Sequence, residues 1–248
     1  MPVAVSPNSE ALVRVKTSDV VAERLLEMLF AGELRAGDRI DLDAIATRLG
    51  VSRAPVREAL LALERDGIVE VPYHRGAFIA QFDGSTVREA FELYALLSAL
   101  TTGRVALNHD DELLARLSAA VDDVEAASGI EAFEQAARQF RRIVNTATAG
   151  PHLRALLRTF GGLVPVASRL SMDRSLEQER RLITQELDAI RAGDPRAART
   201  AAIDHVRMLC DDALATLRDQ GVISAEDAGG LRRDDLRGLL SAIEASGA

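Results

Sequence analysis

The sequence predicts a mostly α-helical protein of two domains. Apolar residues recur at the three- and four-residue spacing of amphipathic helices over most of the chain. Helix-forming residues dominate, and aromatic residues make up only 4% of the 248 positions. Strand-like patterning is confined to two short segments between residues 68 and 81, which separate a small N-terminal group of helices from a longer helical remainder. A chain of this length has room for two such domains.

Three short helices are predicted near the N-terminus. A helix favours a first residue whose side chain accepts hydrogen bonds from the leading backbone amides, and Ser18, Asp41 and Ser52 stand at the three expected starts. Gly50 stands where the second helix should close. The positions expected to face the core are Val20, Val21, Leu25, Leu26, Leu29, Leu42, Ile45, Ala46, Leu49, Val56, Leu60, Leu61 and Leu63.

A β-hairpin is predicted to follow the third helix. The segments "IVEV" and "AFIAQ" have strand-like patterns and are joined by the turn "PYHRG". Three helices and a hairpin in this order make a winged helix-turn-helix, with the short turn "GVS" linking the second and third helices. In that arrangement the third helix enters the major groove of DNA and the hairpin reaches the flanking groove or the backbone.

The remainder of the chain is expected to be an all-α bundle. The predicted boundaries are a loose arm over 1–17, the winged domain over 18–82, the bundle over 83–220 and a C-terminal helical extension over 221–248. Six helices are predicted in the bundle, and Pro165 is expected to kink the fourth.

Composition restricts the class of protein. The net charge of −8 does not by itself indicate nucleic-acid binding, and residues 1–80 hold 10 Lys and Arg against 12 Asp and Glu, so a basic surface has to be local. One cysteine excludes a disulfide framework, and no secretory or membrane-spanning segment is evident, so a cytoplasmic protein is expected. We find no phosphate-binding glycine loop, no nucleophile with a partner and no metal-ligand spacing, so we expect neither an enzyme nor a cofactor.

The segment "AGDRIDLDAIATRLGVSRAPVREALLALERDGIVEVPYHRGAFIA" carries a family resemblance. Over about 45 nearly continuous residues it resembles the winged helix of the GntR family of bacterial transcription regulators, and "GVSRAPVREAL" is a specific signal for that family. Residues 83–218 resemble, with weaker motifs, the FCD ligand-binding domain of the FadR-type subfamily. Its best-matching piece is "DAIRAGDPRAARTAAIDHV".

Arginines at the start of the third helix are the candidate DNA contacts. Arg53 and Arg57 are four residues apart and share a helix face, so one guanidinium can read guanine while the other meets phosphate. The alternative is a solvated face on which Arg57 pairs with Glu58 or Asp66. The residues expected at DNA, which include those implied by the resemblance, are Arg48, Ser52, Arg53, Pro55, Arg57, His74, Arg75 and Gly76.

At the hairpin tip, Gly76 permits close approach of the backbone and Arg75 can enter the minor groove. His74 beside them adds a contact or is simply exposed.

The resemblance also implies a site from which this chain departs. Many FCD domains hold a divalent metal through an Asp and several His, but the matching positions here are Ala137, Arg141 and Ile183. Only His205 remains, and one imidazole does not hold a metal ion with useful affinity. No metal is therefore expected at the usual site.

An effector pocket of different chemistry is expected instead. Tyr94 stands where the family often has a pocket-facing Arg, Arg141 can meet a carboxylate, and apolar neighbours would form the floor. This mixture suits a monoacid with a hydrophobic body, such as a fatty acid or an acyl derivative. The purely structural alternatives are that His205 is a core histidine with its hydrogen bonds satisfied and that Arg141 belongs to a surface pair of arginines. The expected pocket residues are Tyr94, Ala137, Arg141, Ile183 and His205.

These observations predict a DNA-binding transcriptional regulator. A homodimer would double the basic patch and require a palindromic operator. Repression, controlled by a small-molecule effector, is the commoner outcome in the family. The alternative is a dimeric regulator whose bundle has lost metal and small-molecule sensing and serves only dimerisation or protein contacts.

Overall fold

Three helices and three short strands form the N-terminal domain. A computed structural model describes residues 16–73, 75–108 and 110–224. The helices are α1 (Thr17–Phe30), α2 (Leu42–Leu49) and α3 (Arg53–Arg65), and the strands are β1 (Arg39–Ile40), β2 (Val69–Glu70) and β3 (Ala77–Ile79). The predicted arm up to residue 15, His74 and the helix of the C-terminal extension lie outside the described residues.

Local chemistry sets the ends of α2. The carboxylate of Asp41 accepts hydrogen bonds from the backbone amides of Asp43 (2.9 Å) and Ala44 (3.1 Å), as its position predicted. Gly50 closes the helix with a φ of 64°, a conformation that glycine adopts without strain. The predicted cap of α1 was wrong: the helix begins at Thr17, and Ser18 lies inside its first turn.

The wing is a three-stranded sheet rather than a two-stranded hairpin. Strand β3 lies in the centre and pairs antiparallel with β1 on one side and β2 on the other. Phe78 is opposite Arg39 in one pair and Glu70 in the other. Strand β1 is only two residues long, too short to produce a readable alternation.

Two residues that we predicted to be buried are exposed. Val20 is 43% exposed and Leu61 is 50% exposed. Each lies just outside the buried stripe of its helix, because α1 packs through Val21 and Leu25 and α3 through Leu60 and other neighbours. The helical period identified the face but not its width.

Seven α-helices and a 3₁₀ turn form the second domain within the described residues. They are α4 (Gly84–Asn108), α5 (Asp111–Ala126), α6 (Ile130–Ala147), α7 (Pro151–Thr159), α8 (Leu163–Ser171), the 3₁₀ helix Met172–Arg174, α9 (Leu176–Arg191) and α10 (Pro195–Asp219).

The predicted fourth bundle helix is divided into two. The chain leaves α7 at Phe160, passes Gly161 and Gly162, and re-enters a helix at Leu163. Pro165 is therefore the third residue of α8, where its missing amide hydrogen costs no internal hydrogen bond. The disruption predicted at Pro165 is thus a full break, which lies at the glycine pair just before the proline.

Two apolar cores organise the molecule. One core is continuous between the winged domain and helices α4, α8 and α10. The other lies chiefly between α5, α6 and α9 and contains Phe133, Phe140 and Ile183. No helix among the described residues is long and apolar enough to cross a membrane.

Candidate functional site

The start of α3 presents polar side chains outward. Ser52 has extended backbone geometry, and its hydroxyl makes no capping bond to the described part of the helix. Ser52 and Arg57 are exposed, while Pro55 is half-buried in the first turn. A hydroxyl and a guanidinium beside a helix N-terminus form a suitable environment for a phosphate.

Two of the predicted DNA-contacting arginines are held by carboxylates. Arg53 donates to Asp43 of α2 at 2.6 Å, and Arg48 donates to Glu33 at 2.7 Å. Both pairs are largely exposed, so they hold the side chains only loosely. DNA phosphates would compete with these carboxylates for the same guanidinium groups.

The wing tip places a further arginine beside the glycine. Gly76 has a φ of 90°, and a Cβ built there would lie 3.3 Å from Arg39 Nε. The glycine therefore makes room for the Arg39 side chain, while Arg75 is exposed next to it. Arg39 belongs to β1, which the sequence did not predict, so this arginine was missed.

A cavity of about 440 Å³ opens in the helical domain. Four of the five predicted pocket residues, Tyr94, Ala137, Arg141 and His205, line it. Ile183 does not: it is fully buried in the α5–α6–α9 core, so the apolar floor expected from it comes from other residues. The apolar lining consists of Ala137, Leu157, Val164, Pro165, Met172, Val206 and Leu209.

A buried charge network closes the inner side of the cavity. Arg141 makes a two-pronged contact with Glu186, from Nη1 to Oε1 at 2.9 Å and from Nη2 to Oε2 at 2.6 Å. Glu186 is fully buried and also accepts from the Thr102 hydroxyl at 3.0 Å. Burial raises the pKa of Glu186, but Arg141 and His205 outweigh it and lower the pKa to about 2. Arg141 is thus a buried, paired residue and not part of a surface pair.

His205 joins this network through both ring nitrogens. Arg141 Nη2 lies 2.8 Å from Nδ1, and a guanidinium can only donate, so in the neutral ring Nδ1 is the acceptor and Nε2 carries the proton. Nε2 lies 3.4 Å from Glu179 Oε1. Burial lowers the pKa of His205, but the hydrogen bonds to Glu179 and Glu186 prevail and hold the pKa above its usual value. A second ring proton would have Glu186 Oε2, at 3.6 Å, as its acceptor.

The network does not fit a divalent metal. The groups that could coordinate an ion, His205 and Glu186, already face the Arg141 guanidinium, and a metal would add positive charge beside it. Across the described ranges, no cluster of three or more His, Cys, Asp or Glu residues is arranged to hold a metal ion.

Cys210 is buried, and burial raises the pKa of its thiol to about 12, so it is an inert core residue.

Six arginines line the cavity, and they differ in their partners. Arg141 pairs with Glu186, while Arg138 and Arg169 both pair with Glu134. The other three, Arg142, Arg154 and Arg158, lie on α6 and α7 and are exposed at the mouth of the cavity. We call these three the arginine rim.

The cavity wall reaches the winged domain through an ion-pair cluster. Arg169 of α8 lies 3.2 Å from Glu23 and also donates to Glu27, and both glutamates belong to α1. Arg138 lies 3.7 Å from Glu23 and pairs with Glu134. Burial raises the pKa of Glu27, but hydrogen bonds from Arg169 and Arg24 prevail and lower it. These residues, Glu23, Glu27, Glu134, Arg138 and Arg169, form the α1–α8 cluster.

Sequence reasoning missed the acidic half of this site. Glu179 and Glu186 lie seven residues apart on α9 and are 5% and 0% exposed, which is unusual for carboxylates. Ile183 lies between them on the same helical stripe. A glutamate at both ends of an otherwise apolar stripe was the available signal, but only the fold shows that Arg141 is the partner.

Comparisons with known proteins agree with the fold. Residues 17–79 match the family described as bacterial regulatory proteins, gntR family, and residues 89–208 match the FCD domain. The chain is 38% identical over 203 residues to the uncharacterized HTH-type transcriptional regulator Rv0043c of Mycobacterium tuberculosis, covering 82% of this chain and 83% of that protein.

A second relative is the "Probable D-xylose utilization operon transcriptional repressor" of Paenarthrobacter nicotinovorans, 28% identical over 207 residues, covering 80% of this chain and 89% of that protein. Among solved structures, McbR/YncC of E. coli superposes with a TM-score of 0.60 at 20% identity, covering 84% of this chain and 99% of that one. A putative regulator of Rhodococcus sp. RHA1 gives 0.53 at 21% identity, covering 82% and 97%. At this identity the structures show the fold alone.

Proposed function

Because the chain belongs to the GntR family of bacterial regulatory proteins and carries an FCD domain, we propose that it binds a palindromic operator as a homodimer. The chain is a DNA-binding transcriptional regulator and not an enzyme. We propose that it acts in the cytoplasm as a repressor. We also propose that a small molecule bound in the helical domain changes its affinity for the operator. The relative named as a repressor supports the direction of control.

The observation that carries the proposal of effector control is that one side chain, Arg169, belongs both to the cavity and to the contact with the winged domain. Arg169 lines the cavity and at the same time binds Glu23 and Glu27 on α1 of the winged domain. A ligand that changes the position of Arg169 therefore changes a contact that orients the DNA-binding helices. Allosteric control requires such a differential contact between two states.

The cavity also supports an amphiphilic effector, such as a fatty acid or an acyl derivative. Its lining combines apolar side chains with arginines, which suits an acidic head on a hydrocarbon body. Arg141 is already paired with Glu186, so we place the acidic head nearer the arginine rim than the sequence suggested. A built cavity with charged lining also weighs against the alternative in which the bundle has lost small-molecule sensing.

Selection of operator DNA from a random library tests the proposal. The full-length protein should enrich a consensus with two-fold symmetry, and the complex should contain two chains per duplex in analytical ultracentrifugation. Arg53→Ala should lower the affinity for that consensus by about tenfold or more, because it removes a charge-assisted contact. Enrichment of an asymmetric sequence, or one chain per duplex, would overturn the dimer and operator assignment.

Decanoate provides the test of effector control. Titrated below its micelle concentration into the protein–operator complex, it should change the operator affinity, and Arg169→Gln should reduce that change. Arg174→Gln is the matched control, because Arg174 pairs with Asp219 away from the cavity lining. Tight binding of decanoate with no change in operator affinity would contradict control through the cavity.

A further inference from the structure

The arginine rim carries positive charge that no carboxylate neutralises within the described ranges. Arg142 extends from the second half of α6, and Arg154 and Arg158 lie one helical turn apart on α7. None of the three has a carboxylate at ion-pair distance among the residues the structure describes. Arg154 donates one hydrogen bond, to the backbone carbonyl of Thr146 at 3.2 Å, which leaves its charge unpaired.

The other cavity arginines are already neutralised. Arg141 is matched by Glu186, and Arg138 and Arg169 share the glutamates of the α1–α8 cluster. The excess of positive charge is therefore concentrated at the mouth, on α6 and α7. An anion that contacts more than one of these guanidinium groups would be stabilised by several charges at once.

Apolar side chains lie next to the rim. Leu157 is on α7 between Arg154 and Arg158, and Val164 and Pro165 of α8 continue the apolar wall. Met172 and Leu209 also belong to it. A ligand that reaches from the rim into the cavity thus meets cations first and hydrocarbon behind them.

We propose that this cavity binds an amphiphile whose head group is a phosphate monoester, a dianion with three terminal oxygens. This inference rests on the proposed function of the cavity as the effector site. A carboxylate has one charge and two oxygens and satisfies one guanidinium fork. A phosphate monoester has nearly two charges near neutral pH and oxygens for each of the three rim arginines.

Calorimetric titration of the full-length protein at pH 8 tests the head group. Decyl phosphate and undecanoate both carry an unbranched ten-carbon alkyl chain and differ in the head group, and both are used below their micelle concentrations. Decyl phosphate should bind about tenfold more tightly, the gain of one additional charge-assisted hydrogen bond. Decyl sulfate, with three terminal oxygens and a single charge, should bind less tightly than decyl phosphate.

Substitution of the rim arginines tests whether they cause the preference for decyl phosphate. The triple substitution Arg142→Gln, Arg154→Gln and Arg158→Gln should bring decyl phosphate to the affinity of undecanoate. The exposed Arg116→Gln on α5 is the control and should leave the preference intact. Because the three rim residues are exposed, the triple variant should keep the melting temperature of the parent within a few degrees.

The outcomes separate this inference from the function on which it rests. Equal binding of decyl phosphate and undecanoate, or equal binding of decyl phosphate and decyl sulfate, would overturn the dianionic head while leaving an amphiphile site in place. A preference that persists in the triple variant would overturn the role of the rim. Binding of none of the three amphiphiles would overturn both the head group and the amphiphile-binding cavity.

Discussion

At the scale of single residues, the proposed DNA-binding surface contains a carboxylate that would compete with DNA phosphates for an arginine. Asp43 holds Arg53, the residue expected to reach a base or a phosphate, and both side chains are more than half exposed. The winged domain is acidic overall, so the placement of each carboxylate affects the charge that DNA meets. Two acidic residues pair with predicted DNA-binding arginines in the described part of the chain, and Asp43 is the one nearer the start of α3.

We expect Asp43→Asn to tighten operator binding by about threefold, because it releases Arg53 and removes a negative charge that phosphates would face. The measurement is a fluorescence anisotropy titration with the selected operator at low salt. Glu112→Gln on α5, which removes one negative charge from the bundle, should leave the affinity unchanged. Weaker binding by the Asp43 variant would show instead that Asp43 orients Arg53 for the DNA.

The Arg141–Glu186 pair makes a different residue-scale prediction, for stability. Arg141→Met should cost about 3–5 kcal/mol in the free energy of unfolding, because it leaves a buried carboxylate without its cation. The double variant Arg141→Met with Glu186→Gln should recover much of that loss. Arg142→Met, one position along on the exposed side of the same helix, should cost less than about 0.5 kcal/mol. Urea denaturation measures all three.

The pair also gives a pH dependence. The pKa of Glu186 is lowered to about 2 in the folded protein, against 4.5 ordinarily, so its contribution is fully present above pH 4.5. The contribution should be lost as the pH falls from 4.5 towards 2. In Glu186→Gln this part of the acid sensitivity should be absent; an unchanged acid profile would show that Glu186 has the same pKa in the folded and unfolded protein.

At the scale of elements, the sequence predicted most accurately the features that depend on residues close together in the chain. The start and end of α2 follow from Asp41 and Gly50, and both were correct. The strand β1 depends on its pairing with β3, which is distant in sequence. The division of α7 from α8 lies at a glycine pair just before Pro165, where the sequence predicted a kink and the structure has a full break.

The same distinction holds for the site. Tyr94, Ala137, Arg141 and His205 could be placed at the cavity from helix spacing and family resemblance. The Arg141–Glu186 contact spans 45 positions, so helical periodicity carries no information about it.

The α1–α8 cluster predicts how firmly the winged domain is held. Arg169→Gln removes the cation shared by Glu23, Glu27 and Glu134, so α1 should open more readily from the bundle. We expect backbone amides of α1 to exchange with deuterium about tenfold faster, the effect of losing roughly 1.4 kcal/mol of local stability. Arg174→Gln should leave α1 unaffected. Unchanged exchange in the Arg169 variant would mean that apolar packing alone holds α1.

At the scale of the whole molecule, one acid lies where the two domains meet. Asp66 follows α3, and its Oδ2 would be 3.7 Å from a Cβ built on Gly162, in the break between α7 and α8. Burial raises the pKa of Asp66 to about 6, although Arg65 opposes the shift. Near neutral pH Asp66 is therefore ionised in a place where burial penalises its charge.

Asp66→Asn should stabilise the protein at pH 7.5 by on the order of 1 kcal/mol, a discounted value because water screens the half-exposed carboxyl. The sign follows from the raised pKa: the penalty is full above pH 6, shrinks as the pH falls and is gone below the ordinary value of 3.8. Melting temperatures at pH 7.5 and pH 4 measure it, with Asp173→Asn as an exposed control. A gain that is the same at both pH values would contradict titration of Asp66 as the cause.

The apolar core that runs from the winged domain into α4, α8 and α10 determines whether the two family regions are separable modules. Cutting the chain near residue 83 would expose to water Val164, Leu214 and Leu217, each at most 3% exposed in the intact protein. Calorimetry should therefore show one melting transition for both domains rather than two. A chimera that joins this winged domain to a foreign bundle should therefore be more stable when it keeps the α4, α8 and α10 residues of the shared core.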